Sequence, residues 1–148
     1  MASPLPASSS LPQLSRSAAN YLYTGRIDYV PIHFIYNSVP PTELTALYAM
    51  ADVCFVASTR DGMNLVSHEY VACHSGTAVQ ASDVDIPPGA LVLSQFAGAA
   101  GVLEGALVVN PWDSQECSEA LAQALSMSAS EAAKRMRKLG KKVESQTR

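Results

Sequence analysis

Basic side chains are nearly absent from the first 130 residues of this 148-residue chain: Arg16, Arg26 and Arg60 stand against eleven acids. With a formal charge of −3, that scarcity excludes a general nucleic-acid binder. The other seven basic residues lie beyond Glu131, where they face only Glu131 and Glu144, a local balance of +7 − 2 = +5. A solvated face of a terminal helix accounts for them better than a nucleic-acid or membrane patch. Cysteine is scarce too. Cys54, Cys73 and Cys117 cannot all pair, and each lies in an apolar pattern, so reduced core thiols in a cytoplasmic protein are expected. Cys73-His74 and His68 lack the closely spaced further ligands that a tetrahedral metal site needs, and no metal is expected. Long apolar runs are missing as well. The stretch from Ile86 to Leu103 is broken by Pro87-Pro88-Gly89 and Ser94-Gln95, so no membrane span and no secretory signal is expected.

Residues 1–24 open with a Ser-, Pro- and Ala-rich segment that holds no acid in its first 20 positions. This composition fits disorder, a weak transit peptide or a wrongly placed gene start. Beyond it, strand and helix patterns alternate. Ile27 to Tyr36 reads as a strand, followed by a helix with Leu44, Leu47, Tyr48 and Ala51 on one face and prolines at its entrance. Val53-Cys54-Phe55-Val56-Ala57 is a strand buried on both faces, and Asn64 to Cys73 a helix with Val66, Tyr70 and Cys73 inward. A polar loop from Ala78 to Gly89 precedes a strand at Ala90–Leu93, a small-residue helix at Phe96–Leu103 and a strand at Ala106–Val109. Helices from Asp113 to about Met127, with Ala120, Leu121, Ala124 and Leu125 inward, and from Ser130 to Lys142 complete the chain. The alternation predicts an α/β fold, a parallel sheet with helices on both faces. Residues 25–128 form its main domain, and residues 129–148 a basic carboxy-terminal helix.

The segment Arg60-Asp61-Gly62-Met63-Asn64-Leu65-Val66, with Glu69 after it, carries the chemistry. It follows a strand, and open α/β sheets bind ligands at the carboxyl ends of their strands. Gly62 allows a sharp turn and close approach, and the amides of Asn64, Leu65 and Val66 lack partners inside the helix they begin, which suits phosphate. Ionised Asp61 and Glu69 only accept hydrogen bonds, which suits the paired hydroxyls of sugars. The set implies a phosphate held between two polyols. Taken singly, Asp61 could be a helix cap and Glu69 an ordinary surface carboxylate.

Asp61-Gly62-Met63-Asn64-Leu65-Val66 with Glu69-Tyr70-Val71-Ala72-Cys73, then Val92 to Ala100, then Val108-Val109-Asn110-Pro111-Trp112, resembles trehalose-6-phosphate synthase, a retaining GT-B glycosyltransferase family, over about Tyr29 to Met127. The resemblance implies one Rossmann-like half of a two-domain GT-B enzyme that moves glucose from UDP-glucose to glucose 6-phosphate in trehalose biosynthesis, with no cofactor. It implies that Asp61 holds donor glucose hydroxyls and that the backbone of Gly62, Met63 and Asn64 lies along that sugar. Leu65 and Val66 match amides near the diphosphate, Glu69 the carboxylate on the ribose diol, and Val39 a main-chain contact to the uracil edge. The family's leaving-group Arg and Lys, and most of its acceptor pocket, have no recognisable counterpart here. No catalytic residue is assigned, and the chain by itself is expected to be inactive. A non-catalytic nucleotide-sugar-binding module, perhaps one that assembles with a full-length synthase, and a GT-B transferase with another acceptor are the competing expectations. Arg60 is expected to orient the loop or pair with Asp61, His33 to sit in the sheet, and His68 to line the mouth of the site. Trp112 is read as a partly buried anchor rather than a sugar-stacking platform.

Overall fold

The structure, a computed structural model, describes residues 33–75 and 86–146. The chain divides into two compact units, residues 1–38 and 39–148. In the first, the described residues from His33 to Tyr36 form no strand and are all exposed, His33 included. Phe34 and Tyr36 stack with ring centroids 6.1 Å apart. The rest of the strand expected over Ile27 to Tyr36 lies outside the described residues, as does most of the Ala78–Gly89 loop.

The second unit begins with helix α1, Pro41–Met50, which Pro40 and Pro41 start at a position where a missing amide costs nothing. Strand β1, Val53–Val56, leads through the motif loop to helix α2, Leu65–His74. Strand β2 is Ala90–Ser94, and a 3₁₀ turn at Gly98–Gly101 replaces the longer helix expected over Phe96–Leu103. Strand β3, Leu107–Val109, precedes helix α3, Ser114–Ser126, which Asp113 caps by accepting from the Gln115 and Glu116 amides at 3.0 Å. Helix α4, Ala129–Gln146, is longer than its pattern suggests.

The three strands pair in parallel in the order β1-β2-β3, with Val53 opposite Ala90 and Val92 opposite Leu107. Every residue of the central strand β2 is buried, which is why Ala90 to Leu93 is a continuous apolar run, and the buried Ser94 at its end uses its Oγ to accept from the Phe96 amide at 3.1 Å. Alternate side chains serve opposite faces. Leu91 and Leu93 join Val56, Tyr70, Val71, Met136, Leu139 and Val143 in one core, under α2 and α4. Ala90 and Val92 join Val109, Ala120 and Ala124 in the other, under α3. Helices therefore cover both faces, as expected. Full burial of a Leu or Val contributes roughly 1.5–3 kcal/mol, so β2 is the main anchor of the unit. The basic residues Lys134, Arg137, Lys138 and Lys141 occupy the exposed side of α4. Among the described residues no helix is long and apolar enough to cross a membrane.

Two helix faces differ from expectation. In α2 the buried residues are Ser67, Tyr70, Val71 and Cys73, while Val66, in the first turn, is 43 % exposed. In α3 Ala120 and Ala124 are buried and Leu121 packs beside them, but Leu125 points to solvent.

Candidate donor site at the carboxyl edge of the sheet

Because the strands are parallel, the segments after β1, β2 and β3 emerge at one edge, and hydrogen bonds tie them together. The Asp61 amide donates to Phe96 O at 3.4 Å, and the Gly98 amide to Asp61 O at 3.3 Å. The Gln95 amide donates to Val109 O at 2.9 Å. At this edge packing demands a glycine at position 98. A Cβ there would lie 2.9 Å from the Gly62 carbonyl oxygen, so the segment after β2 rests directly on the motif loop. Gly62 sits in a bend, its φ is not left-handed, and a Cβ on it would meet nothing within 4 Å. It is open toward solvent, which leaves room for approach rather than serving a strained turn.

Asn64 organises the loop. It is 93 % buried by its 7 % residual exposure, its Oδ1 accepts from the Ser67 amide at 2.8 Å, and its Nδ2 donates to Asp61 Oδ2 at 2.6 Å. Asn64, not Asp61, is therefore the helix cap, and the carboxylate is left exposed at the rim. The amides of Leu65 and Val66 have no acceptor among the described residues. Such amides at a helix start carry partial positive charge and suit an anion.

Glu69 lies one helical turn beyond Leu65, and with Leu65 and Val66 it forms the exposed face of α2. Its Oε2 accepts from Tyr48 Oη of α1 at 3.1 Å, a partner that the linear pattern does not reveal. Burial first, and then the bond to Glu69, pushes the Tyr48 hydroxyl up to about 12. The same two helices enclose a groove of about 230 Å³ lined by Pro41, Leu44, Thr45, Tyr48, Glu69, Ala72 and Cys73. Burial raises Cys54 to about 11 and also raises Cys73, with Glu69 adding to the second, so both thiols stay protonated at neutral pH.

Asp61, Gly62, Met63, Asn64, Leu65, Val66 and Glu69 thus share one edge. Val39 immediately precedes Pro40 and α1, half-exposed, and makes no hydrogen bond to the motif. Arg60 is exposed and forms no ion pair with Asp61 among the described residues. His68 links the motif to α4, with Nδ1 2.8 Å from Asn64 O and Nε2 3.0 Å from Gln146 Oε1. His74 is engaged by Pro87 O and Tyr48 O, each 2.8 Å from a ring nitrogen. Trp112 is 75 % exposed, so it is not the buried anchor expected of it.

Fold and loop together define an α/β domain that presents open amides and two carboxylates at the carboxyl edge of a parallel sheet. The model of glycosyltransferase family 20 matches residues 17–148, and the chain belongs to that family. It is 49 % identical over 123 residues to the alpha,alpha-trehalose-phosphate synthase [UDP-forming] of Yarrowia lipolytica, covering 83 % of this chain and 24 % of that protein. It is 48 % identical over 103 residues to the 56 kDa subunit of the Saccharomyces cerevisiae synthase, covering 70 % and 19 %. Among solved structures, the Escherichia coli protein bound with UDP-2-fluoro glucose superposes with TM-score 0.73 at 38 % identity, covering 85 % of this chain and 26 % of that one. The Burkholderia xenovorans synthase in complex with glucose-6-phosphate gives 0.73 at 40 % identity, with coverage of 85 % and 26 %. The fold is accordingly the Rossmann-like α/β fold of one half of a GT-B glycosyltransferase. The chain spans about a quarter of the length of the relatives it matches.

Proposed function

We propose that this chain supplies the UDP-glucose-binding part of a UDP-forming trehalose-phosphate synthase, which transfers glucose with retention to glucose 6-phosphate. One observation carries the reading: the amides of Leu65 and Val66, which have no acceptor among the described residues, lie between the Asp61 and Glu69 carboxylates on a single exposed edge. In this assignment the amides meet the diphosphate, Asp61 and the backbone of Gly62, Met63 and Asn64 meet the glucose, Glu69 meets the ribose diol, and Val39 meets the uracil edge. The bound UDP-2-fluoro glucose of the Escherichia coli relative and the glucose-6-phosphate of the Burkholderia xenovorans relative support the choice of donor and acceptor.

The chain alone binds donor without turnover. Departure of UDP builds negative charge that must be met by preorganised cations, and the described residues place only Arg60 near the motif. The same scarcity favours, as a second reading, a binding module that assembles with a full-length synthase. Calorimetry with UDP-glucose, UDP and GDP-glucose tests the donor site, and a coupled assay with glucose 6-phosphate tests turnover. Absence of UDP-glucose binding sinks the donor assignment. Turnover by the chain alone sinks its inactivity, and restoration of turnover by an added amino-terminal half-enzyme separates the first reading from the second.

A further inference from the structure

We propose that Tyr48 is a positioning residue, which fixes the Glu69 carboxylate so that its second oxygen faces the ribose diol and thereby sets the preference for ribose over deoxyribose. The inference rests on the donor-site reading above. The hydroxyl of Tyr48 has a single partner among the described residues, Glu69 Oε2, so the packing of α1 requires only the ring and the oxygen serves Glu69. Glu69 Oε1 has no partner among those residues.

The ring is itself held in place. It meets Tyr70 edge-on, with centroids 6.3 Å apart, and the Tyr70 hydroxyl is anchored on Ala51 O and Asp52 O at 3.1 and 3.3 Å. The Tyr48 carbonyl is engaged by His74 Nε2 at 2.8 Å and accepts from the Ala51 amide at 3.2 Å. An exposed glutamate otherwise samples many rotamers, and ordering it on binding costs affinity. A donor mounted on a fixed ring removes part of that cost in advance. Because the hydroxyl stays protonated to about 12, it remains a donor at any pH at which the protein would be assayed.

The test is calorimetry with UDP and 2′,3′-dideoxy-UDP on the full chain and on Tyr48→Phe, which keeps the ring and every main-chain bond. The expected result is about fivefold weaker UDP binding with dideoxy-UDP unchanged. In a Glu69→Ala background Tyr48→Phe should have no further effect. Equal losses for both nucleotides, or a loss of UDP binding that persists without Glu69, overturn the proposal and leave the donor site standing. If the unaltered chain binds neither UDP nor UDP-glucose, the donor site itself falls and the role of Tyr48 falls with it.

Discussion

The Asn64 side-chain amide donates to Asp61 Oδ2 at 2.6 Å while its Oδ1 caps the Ser67 amide at 2.8 Å, so one buried side chain orders both the helix start and the Asp61 carboxylate. The two duties separate by substitution. Asn64→Ser retains a capping oxygen and loses the bond to Asp61, whereas Asn64→Ala loses both. The alanine variant should be about 1–2 kcal/mol less stable in urea denaturation, and the serine variant within about 0.5 kcal/mol of the parent. The serine variant should weaken UDP-glucose binding by calorimetry while leaving UDP nearly unchanged, and the alanine variant, which also loosens the helix start carrying the Leu65 and Val66 amides, should weaken both. A serine variant with full affinity for UDP-glucose would show that Asp61 needs no clip.

The two glycines of the site should respond oppositely to alanine. Gly98→Ala drives a Cβ to 2.9 Å from the Gly62 carbonyl oxygen, backbone that cannot rotate aside, and should cost about 1–3 kcal/mol of stability. Gly62→Ala places its methyl in open space without a left-handed φ to strain, and its thermal midpoint should hardly move. If the proposed donor site is right, that methyl stands in the path of the sugar and UDP-glucose affinity should fall. Unfolding curves and titrations of the two variants, compared side by side, decide whether openness at Gly62 is functional.

The carboxylates should be separable by ligand. Glu69→Ala is expected to weaken UDP more than glucose 1-phosphate, because only the nucleotide carries the ribose diol. Asp61→Ala is expected to weaken UDP-glucose and spare UDP. Each loss should be on the order of tenfold, the scale of a hydrogen bond to a charged acceptor. Equal losses for both ligands in either variant would contradict the division of roles.

The layered α/β plan is readable because β2 is apolar from Ala90 to Leu93 and because turn residues bracket each strand. The motif was readable because Asp61 to Glu69 is local, and its order along the chain already fixes a loop followed by a helix. What depended on packing between distant segments was not. Tyr48 and Glu69 are 21 residues apart and meet only because α1 lies against α2. Gly98 looked like one of several small residues, and its contact with Gly62 follows from the pairing of two loops at the sheet edge. The usual burial of tryptophan does not hold for Trp112, which follows β3 and is 75 % exposed. Val66 falls on the apolar stripe of α2 by periodicity yet is exposed, because periodicity marks the stripe and not what packs against each of its turns.

Alkaline pH should destabilise the fold through groups that are buried protonated. Burial raises Cys54 from 9.0 to about 11, and burial followed by the bond to Glu69 raises Tyr48 from 10.0 to about 12. Tyr70 is raised as well, mainly by burial. In each case the unfolded chain loses its proton first. The stability these groups contribute is therefore complete below the unfolded value and is lost as pH rises through the folded one. For Cys54 the window runs from 9.0 to about 11, and for Tyr48 from 10.0 to about 12. Urea midpoints taken under reducing conditions should be level up to pH 9 and then decline. Cys54→Ala, though less stable throughout because of the cavity it leaves, should show a shallower decline in the lower part of that range. An identical slope in parent and variant would mean that the thiol at position 54 ionises as readily in the fold as outside it.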